Sequence, residues 1–176
     1  MKIKRLVCFL FVTVLLVGMV SIPASAYDAS ELPPTEVFLI PEQIDEDTYY
    51  YRDETGDVVV IWENVSDTDS VIPRAGNGEQ IYWKILSEGY KHGDYYFATG
   101  DGTTVGVEID FSPDFESYLG YYTGKYNRYS WLSTPSKTGF HTKLTVMGSA
   151  SLTLAIKNMG PKLCVYEGYY YATPMN

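Results

Sequence analysis

A chain of 176 residues with 22 acids, 13 lysines and arginines and a formal net charge of −9 has no overall basic footprint, which argues against non-specific binding of nucleic acid or of an anionic membrane surface. The charge divides by position: Tyr27 to Glu116 carries −17 and Ser117 to Asn176 carries +5, and a solvated acidic coat on surface loops accounts for the first of these. Seventeen tyrosines stand against only two histidines and two cysteines, so polar-tipped aromatic surface is plentiful and the usual bases and metal ligands are scarce.

Lys2, Lys4 and Arg5 precede an uncharged apolar run from Leu6 to Val20 that leads to Ala24-Ser25-Ala26. A basic start, a short apolar core and an Ala-x-Ala exit predict a cleaved secretory signal over residues 1–26, and the apolar run is shorter than a comfortable membrane span. No stable membrane anchor is then expected after cleavage, and the protein is expected outside the cell. The remaining 150 residues suit one domain with its own core. Loss of Cys8 leaves Cys164 without an intrachain partner, so the core must supply the stability. Cys164 itself reads as a small buried apolar side chain, with an intermolecular disulfide as the other reading. Export without disulfides fits a Gram-positive bacterial style of secretion.

Residues 27–36 are acidic, contain Pro33-Pro34 and lack periodicity, which predicts a flexible leader before a domain over 37–176. Val37 to Ile40 is a short strand stopped by Pro41, and Pro41 to Asp47 is an acidic loop with at most a helical turn. Thr48 to Trp62 is a hairpin turning at Asp53-Glu54-Thr55-Gly56-Asp57. A long polar connection from Asn64 to Gly78 follows, then a strand from Gln80 to Leu86, a turn-rich loop from Glu88 to Asp94, a strand from Tyr95 to Thr99 and another from Thr103 to Phe111. Tyr118 to Trp131 is an aromatic loop-to-strand region, Ser133 to Thr138 a loop, and Gly139 to Val146 a strand.

The clearest pattern runs from Thr142 to Tyr171. Leu144 and Val146 alternate with polar neighbours, Gly148-Ser149 interrupts, Leu152, Leu154 and Ile156 alternate again, and Asn158-Met159-Gly160-Pro161 breaks the chain before Leu163 and Val165. Three antiparallel strands joined by turns are predicted. A weaker copy lies about 48 residues upstream, with Trp83 matching Trp131, Val105, Val107 and Ile109 matching Leu152, Leu154 and Ile156, and Gly120-Tyr121-Tyr122 matching Gly168-Tyr169-Tyr170. No segment has a helical apolar period. The fold class is therefore all-β, an antiparallel β-sandwich of roughly eight to ten strands in jelly-roll or Ig-like Greek-key order, with room for an internal two-fold pseudo-repeat.

Catalytic signals are weak. His92, in a polar turn, reads as exposed and His141, at a strand start, as structural; neither lies in a nucleophile motif. Glu108 and Asp110 share the outward face of one strand about 7 Å apart, but a strongly acidic surface offers many such pairs, and a solvated strand face is the favoured reading. Hard-cation loops for calcium would be Asp53 to Asp57, Asp67 to Asp69, or Asp94 with Asp101; none has EF-hand spacing. No catalytic residue, metal or cofactor is assigned.

The aromatic stretch carries the functional expectation. Tyr121, Tyr122, Tyr126, Tyr129 and Trp131, mixed with Thr, Asn, Lys and Arg, could stack on sugar rings and hydrogen-bond their hydroxyls; alternatively they fill sheet edges and cross-strand pairs. The phrases WKILSEG, GDGTTVGVEIDFSP and GSASLTLAIKN give about half of the mature chain a layout similar to small secreted β-sandwich modules of Gram-positive bacteria, carbohydrate-binding and pre-peptidase-like C-terminal modules among them. The resemblance implies a fold and no ligand residues. The chain is expected to be a secreted, non-enzymatic binding module for a polysaccharide or cell-envelope glycan. The alternatives are a protein-binding or structural surface protein, inhibitor- or adhesin-like, and a small glycoside hydrolase.

Overall fold

The computed structural model describes residues 32–65, 77–100, 103–112, 116–136 and 138–173. Among them are thirteen strands: β1 Thr35–Leu39, β2 Pro41–Gln43, β3 Thr48–Arg52, β4 Val58–Asn64, β5 Asn77–Ile85, β6 Tyr90–His92, β7 Phe97–Ala98, β8 Thr103–Phe111, β9 Ser117–Thr123, β10 Arg128–Ser136, β11 Gly139–Val146, β12 Ser151–Asn158 and β13 Cys164–Thr173. The first sheet has the order β1-β10-β9-β12-β6, with β7 also on β12, and the second has the order β2-β3-β4-β11-β8-β13-β5. Neighbours are antiparallel except β1, which runs parallel to β10.

The pairing is nested. β9 pairs with β10, β8 with β11, β6 with β12 and β5 with β13. A chain that doubles back once and wraps the resulting double ribbon into two sheets produces this order, which is the jelly roll and not the Ig-like key. The point of return is the 3-10 turn Gly124–Tyr126, closed by Asn127 in the left-handed region at φ 45° and ψ 54°, where Asn is among the residues best tolerated.

Nesting corrects the reading of Thr142 to Tyr171. The three strands form where alternation placed them, but β11 and β13 lie in the second sheet and β12 in the first. Gly148-Ser149 and Asn158 to Pro161 are therefore corners between sheets and not hairpin turns. Gly148 takes φ +79° at the first corner. At the second, the fully buried Asn158 donates from Nδ2 to the carbonyls of Ile85, Leu86 and Lys162 and accepts the Gly160 N–H. A side chain with both amide groups satisfied is a cheap polar group to bury.

The upstream copy also finds a place in this order. Exchanging β5, β6, β8 and β9 with β10, β11, β12 and β13 converts β10-β9-β12-β6 into β5-β13-β8-β11, which is the neighbour order of the second sheet. The registers do not repeat. Trp131 faces Gly120, whereas Trp83 faces Tyr166, two residues from Gly168. The roll has this two-fold relation whatever its sequence, so topology alone accounts for similar strand patterns recurring half a roll apart.

Other boundaries move. Thr35 and Glu36, expected in the flexible leader, belong to β1; Pro41–Gln43 and Tyr90–His92, expected in loops, are strands; and β10 continues to Ser136 through the expected Ser133 to Thr138 loop. Short strands on sheet edges bury too few side chains to show a period. Residues 1–31, which include the predicted signal and most of the leader, and the candidate calcium residues Asp67, Asp69 and Asp101 lie outside the described residues. The core lies between the sheets and is set by alternate residues of each strand: Leu119, Leu132, Leu154 and Ile156 from the first, and Ile81, Val107, Ile109, Phe140, Tyr166 and Tyr170 from the second. Cys164, 1% exposed, is part of it, which settles its reading as a buried apolar residue.

Candidate binding face and inter-sheet cleft

The outer face of the first sheet is organised around two small residues. Strand register aligns His92, Ala155, Gly120, Trp131 and Phe38 across β6, β12, β9, β10 and β1. Ala155 and Gly120 leave a shallow trough at the centre of that row. A Cβ on Gly120 would lie 2.6 Å from Cε3 of Trp131 and 2.4 Å from the Ser130 carbonyl, so only glycine admits the indole there. The second sheet repeats the device, with the ring of Tyr171 lying 2.3 Å from where a Cβ of Gly106 would be.

Large rings fill the trough. Tyr129 stacks on Trp131 with centroids 5.1 Å apart and planes 7° from parallel, and His92 stacks on Tyr122 at 4.3 Å and 7°. Tyr122 meets Tyr129 at 4.8 Å, and Tyr90 lies 4.6 Å from Tyr129. Tyr96 extends the chain of rings beyond His92, 6.4 Å from it, while Phe38 and Tyr118 meet edge to face at 5.4 Å. The Trp131 indole N–H donates to Glu36 Oε2 at 2.7 Å, and Lys157 Nζ donates to the same oxygen. Lys157 thereby stands 5.3 to 5.9 Å from the ring centres of Phe38, Tyr90 and Trp131, within cation–π range.

Two layers result. Trp131 is 0% exposed and Tyr129 5%, whereas Tyr90 is 37% and Tyr96 42% exposed. Trp131 and Tyr129, expected among the ligand-contacting residues, are the floor of this face, and the rings open to solvent above it are Tyr90, Tyr96, Tyr122 and His92. The sequence reading had His92 as a merely exposed turn residue; instead its ring is half-buried in the stack, and its Nδ1 lies 2.9 Å from the Gly93 carbonyl oxygen.

Tyr121 and Tyr126 are elsewhere. Alternation along β9 sends Tyr121 inward beside the core, and Tyr126, 64% exposed, stands at the mouth of a cleft between the sheets. Two chambers lie there, and Arg128 lines both. The inner, of about 190 Å³, has walls of Val59, Val146 and Leu152 and a polar end formed by Tyr121, Arg128 and Ser130. The outer, of about 420 Å³, opens between β1 and the β3–β4 turn and includes Val37, Leu39, Arg52, Asp53 and Glu54. Burial pushes the Tyr121 phenol above its ordinary range; the Ser130 hydroxyl and the Arg128 guanidinium oppose that shift, and Asp53 adds to it.

The remaining candidates fall outside both places. Asp110 lies on the outer face of the second sheet as expected and pairs with His141 Nε2 at 2.9 Å. Asp53 caps its own turn, accepting from the Thr55 N–H, the Thr55 hydroxyl and the Asp57 N–H. Among the described residues, no three His, Cys, Asp or Glu side chains converge as metal ligands. The molecule is thus a jelly-roll β-sandwich with a ring-lined outer face and a separate cleft between its sheets. No protein-family model matches the chain, and neither does any curated protein or solved structure.

The sequence signal for this arrangement was Gly120, an isolated glycine within a strand pattern, which marks close approach by a backbone or a ring. Tyr90, Tyr96 and His92 had no such signal. They reach the face only because β6 and β7, on either side of Tyr96, pair with β12, contacts between segments more than fifty positions apart.

Proposed function

We propose that the chain is a secreted, non-enzymatic binding module that holds a glycan, a polysaccharide or a cell-envelope polymer, against the outer face of the first sheet. The observation that carries this reading is the chain of rings from Tyr96 through His92 and Tyr122 to Tyr90, open to solvent on a packed aromatic floor. Flat, rigid aromatic faces stack on the apolar faces of pyranose rings, and phenol and imidazole tips hydrogen-bond sugar hydroxyls, with little conformational entropy to lose. Secretion rests on the signal pattern of residues 1–26.

The test is retention of the purified protein on insoluble polysaccharides and peptidoglycan. Parent protein should be retained, and Tyr90→Ala and Tyr96→Ala should each lose roughly tenfold in affinity, corresponding to about 1–2 kcal/mol for an exposed stacking ring, with unchanged urea midpoints. Retention that survives the double substitution removes the face from the reading. A protein partner is the second reading, favoured by Phe38 on β1 and the neighbouring Ile40, exposed at 47% and 79% at the edge of that face. Absence of glycan retention together with capture of a protein that Phe38→Ser abolishes would establish it instead.

A further inference from the structure

The polar end of the inter-sheet cleft is incomplete. Ser130 is 1% exposed and its buried Oγ makes no hydrogen bond of normal geometry, its contact with the Tyr121 phenol being weaker than one, and a buried hydroxyl left without a full partner costs on the order of 1–3 kcal/mol. Arg128, two residues away on the same inward row of β10, is half-buried and belongs to none of the ion pairs among the described residues. A guanidinium at a cleft wall without a carboxylate is equally unusual, since five donors are held there in fixed geometry. Both groups border one chamber with the phenol of Tyr121, which is protonated at neutral pH and therefore able to donate.

The other charges at the cleft are already engaged or peripheral. Arg52 donates to Glu42 at 2.9 Å and to the Gly56 carbonyl at 3.0 Å. Asp53 has its Oδ1 occupied by three donors of its own turn, and Glu54 is exposed at the tip of that turn. No acid lines the inner chamber; beyond Thr123 and the Tyr126 ring at its mouth, its remaining walls are apolar chains, Val59, Val146, Met147, Ala150 and Leu152. Sugars are a poor match to aliphatic walls, whereas a short hydrocarbon chain fits them.

We infer that this cleft is a binding site for an aliphatic monocarboxylate, whose carboxylate accepts from the Arg128 guanidinium and the Ser130 hydroxyl while its chain lies between the sheets against Val59, Val146 and Leu152. The site is separate from the outer face, because Arg128 and Ser130 alternate with Tyr129 and Trp131 and point to the opposite side of β10.

The test is isothermal titration of the purified protein with octanoate, 1-octanol and acetate. Octanoate should bind, and both octanol, which lacks the charge, and acetate, which lacks the chain, should bind at least tenfold more weakly. Arg128→Gln should lose at least tenfold in octanoate affinity, Ser130→Ala about threefold, and Tyr90→Ala nothing, with near-ultraviolet circular dichroism verifying the fold of each. Arg128→Lys, which keeps the charge without the fork, should fall between parent and Arg128→Gln. Absence of octanoate binding, equal affinity for octanol, or an unchanged affinity in a folded Arg128→Gln would each overturn the assignment. The three-ligand comparison on parent protein decides the matter even if a variant fails to fold. Loss of octanoate binding in Tyr90→Ala would show that the two sites are one, and so overturn the separation.

Discussion

Trp131 distinguishes a floor from a platform. Truncation to Ala removes an indole that is 0% exposed, stacked on Tyr129 and lying over Gly120 and Ala155, and the strand glycine and alanine beneath it have no side chain long enough to refill the space. Large-to-small changes of Trp in such settings cost about 3–5 kcal/mol, and the lost indole N–H to Glu36 is partly covered because Lys157 still donates to the same oxygen. Trp131→Phe keeps most of the ring and loses that bond, for about 1–2 kcal/mol. With a urea dependence of about 2 kcal/mol per molar, the midpoint should fall by roughly 2 M for Ala and by less than 1 M for Phe. A Trp131→Ala protein as stable as its parent that has simply lost glycan retention would refute the reasoning, because it would make the indole free surface.

Two further outcomes follow from burial. Tyr129, Tyr166, Tyr170 and Tyr171 are each 0% to 5% exposed, and burial raises every one of these phenols above 10.0, Tyr171 to about 12. The folded state holds protons that the unfolded chain releases. Stability is therefore fully present below about pH 10 and should fall above it by about 1.4 kcal/mol per pH unit for each such tyrosine until its folded pKa is passed. Phenolate absorbance near 295 nm should rise in two stages, the second coinciding with loss of circular dichroism; a single non-cooperative titration at full fold would count against it. Gly120→Ala places a methyl 2.4 Å from the Ser130 carbonyl and 2.6 Å from Trp131, so a loss of about 1–3 kcal/mol is expected. Glycan retention and octanoate binding should then weaken together, since the same strand pair supports both sites. An unchanged urea midpoint would mean that the strands have room to part there.

Period-two alternation was enough to locate the long strands, because β8, β11 and β12 each place large apolar side chains on one row over eight or nine residues. It could not say which sheet each strand joins. Gly148-Ser149 and Asn158 to Pro161 read as turns under any topology, and a corner differs from a hairpin only in long-range partners such as the Asn158 bonds to Ile85 and Leu86. The short strands were less legible for a related reason. β6, with three residues, was read as loop, while β7, with two, is the shortened form of the strand expected from Tyr95 to Thr99; both are too short for a period and are held by pairing to β12 and by Glu79, whose carboxylate accepts from Asp94, Tyr95 and Tyr170.

The five aromatic residues singled out from Tyr121 to Trp131 illustrate why composition marks a region better than a site. β9 and β10 present alternate side chains to opposite faces, so Tyr122, Tyr129 and Trp131 go outward, while Tyr121, with Arg128 and Ser130, goes inward. The register Gly120 to Trp131 and Tyr121 to Ser130 decides which set is which, and a slip of one residue would bring Arg128 and Ser130 to the outer face and bury Tyr129 and Trp131 in the cleft. Gly120 resists that slip, because only at its position can the indole lie flat against the sheet. One strand pair with a fixed register can therefore serve an aromatic surface on one side and a polar, aliphatic cleft on the other, each changed by substitutions that leave the other intact.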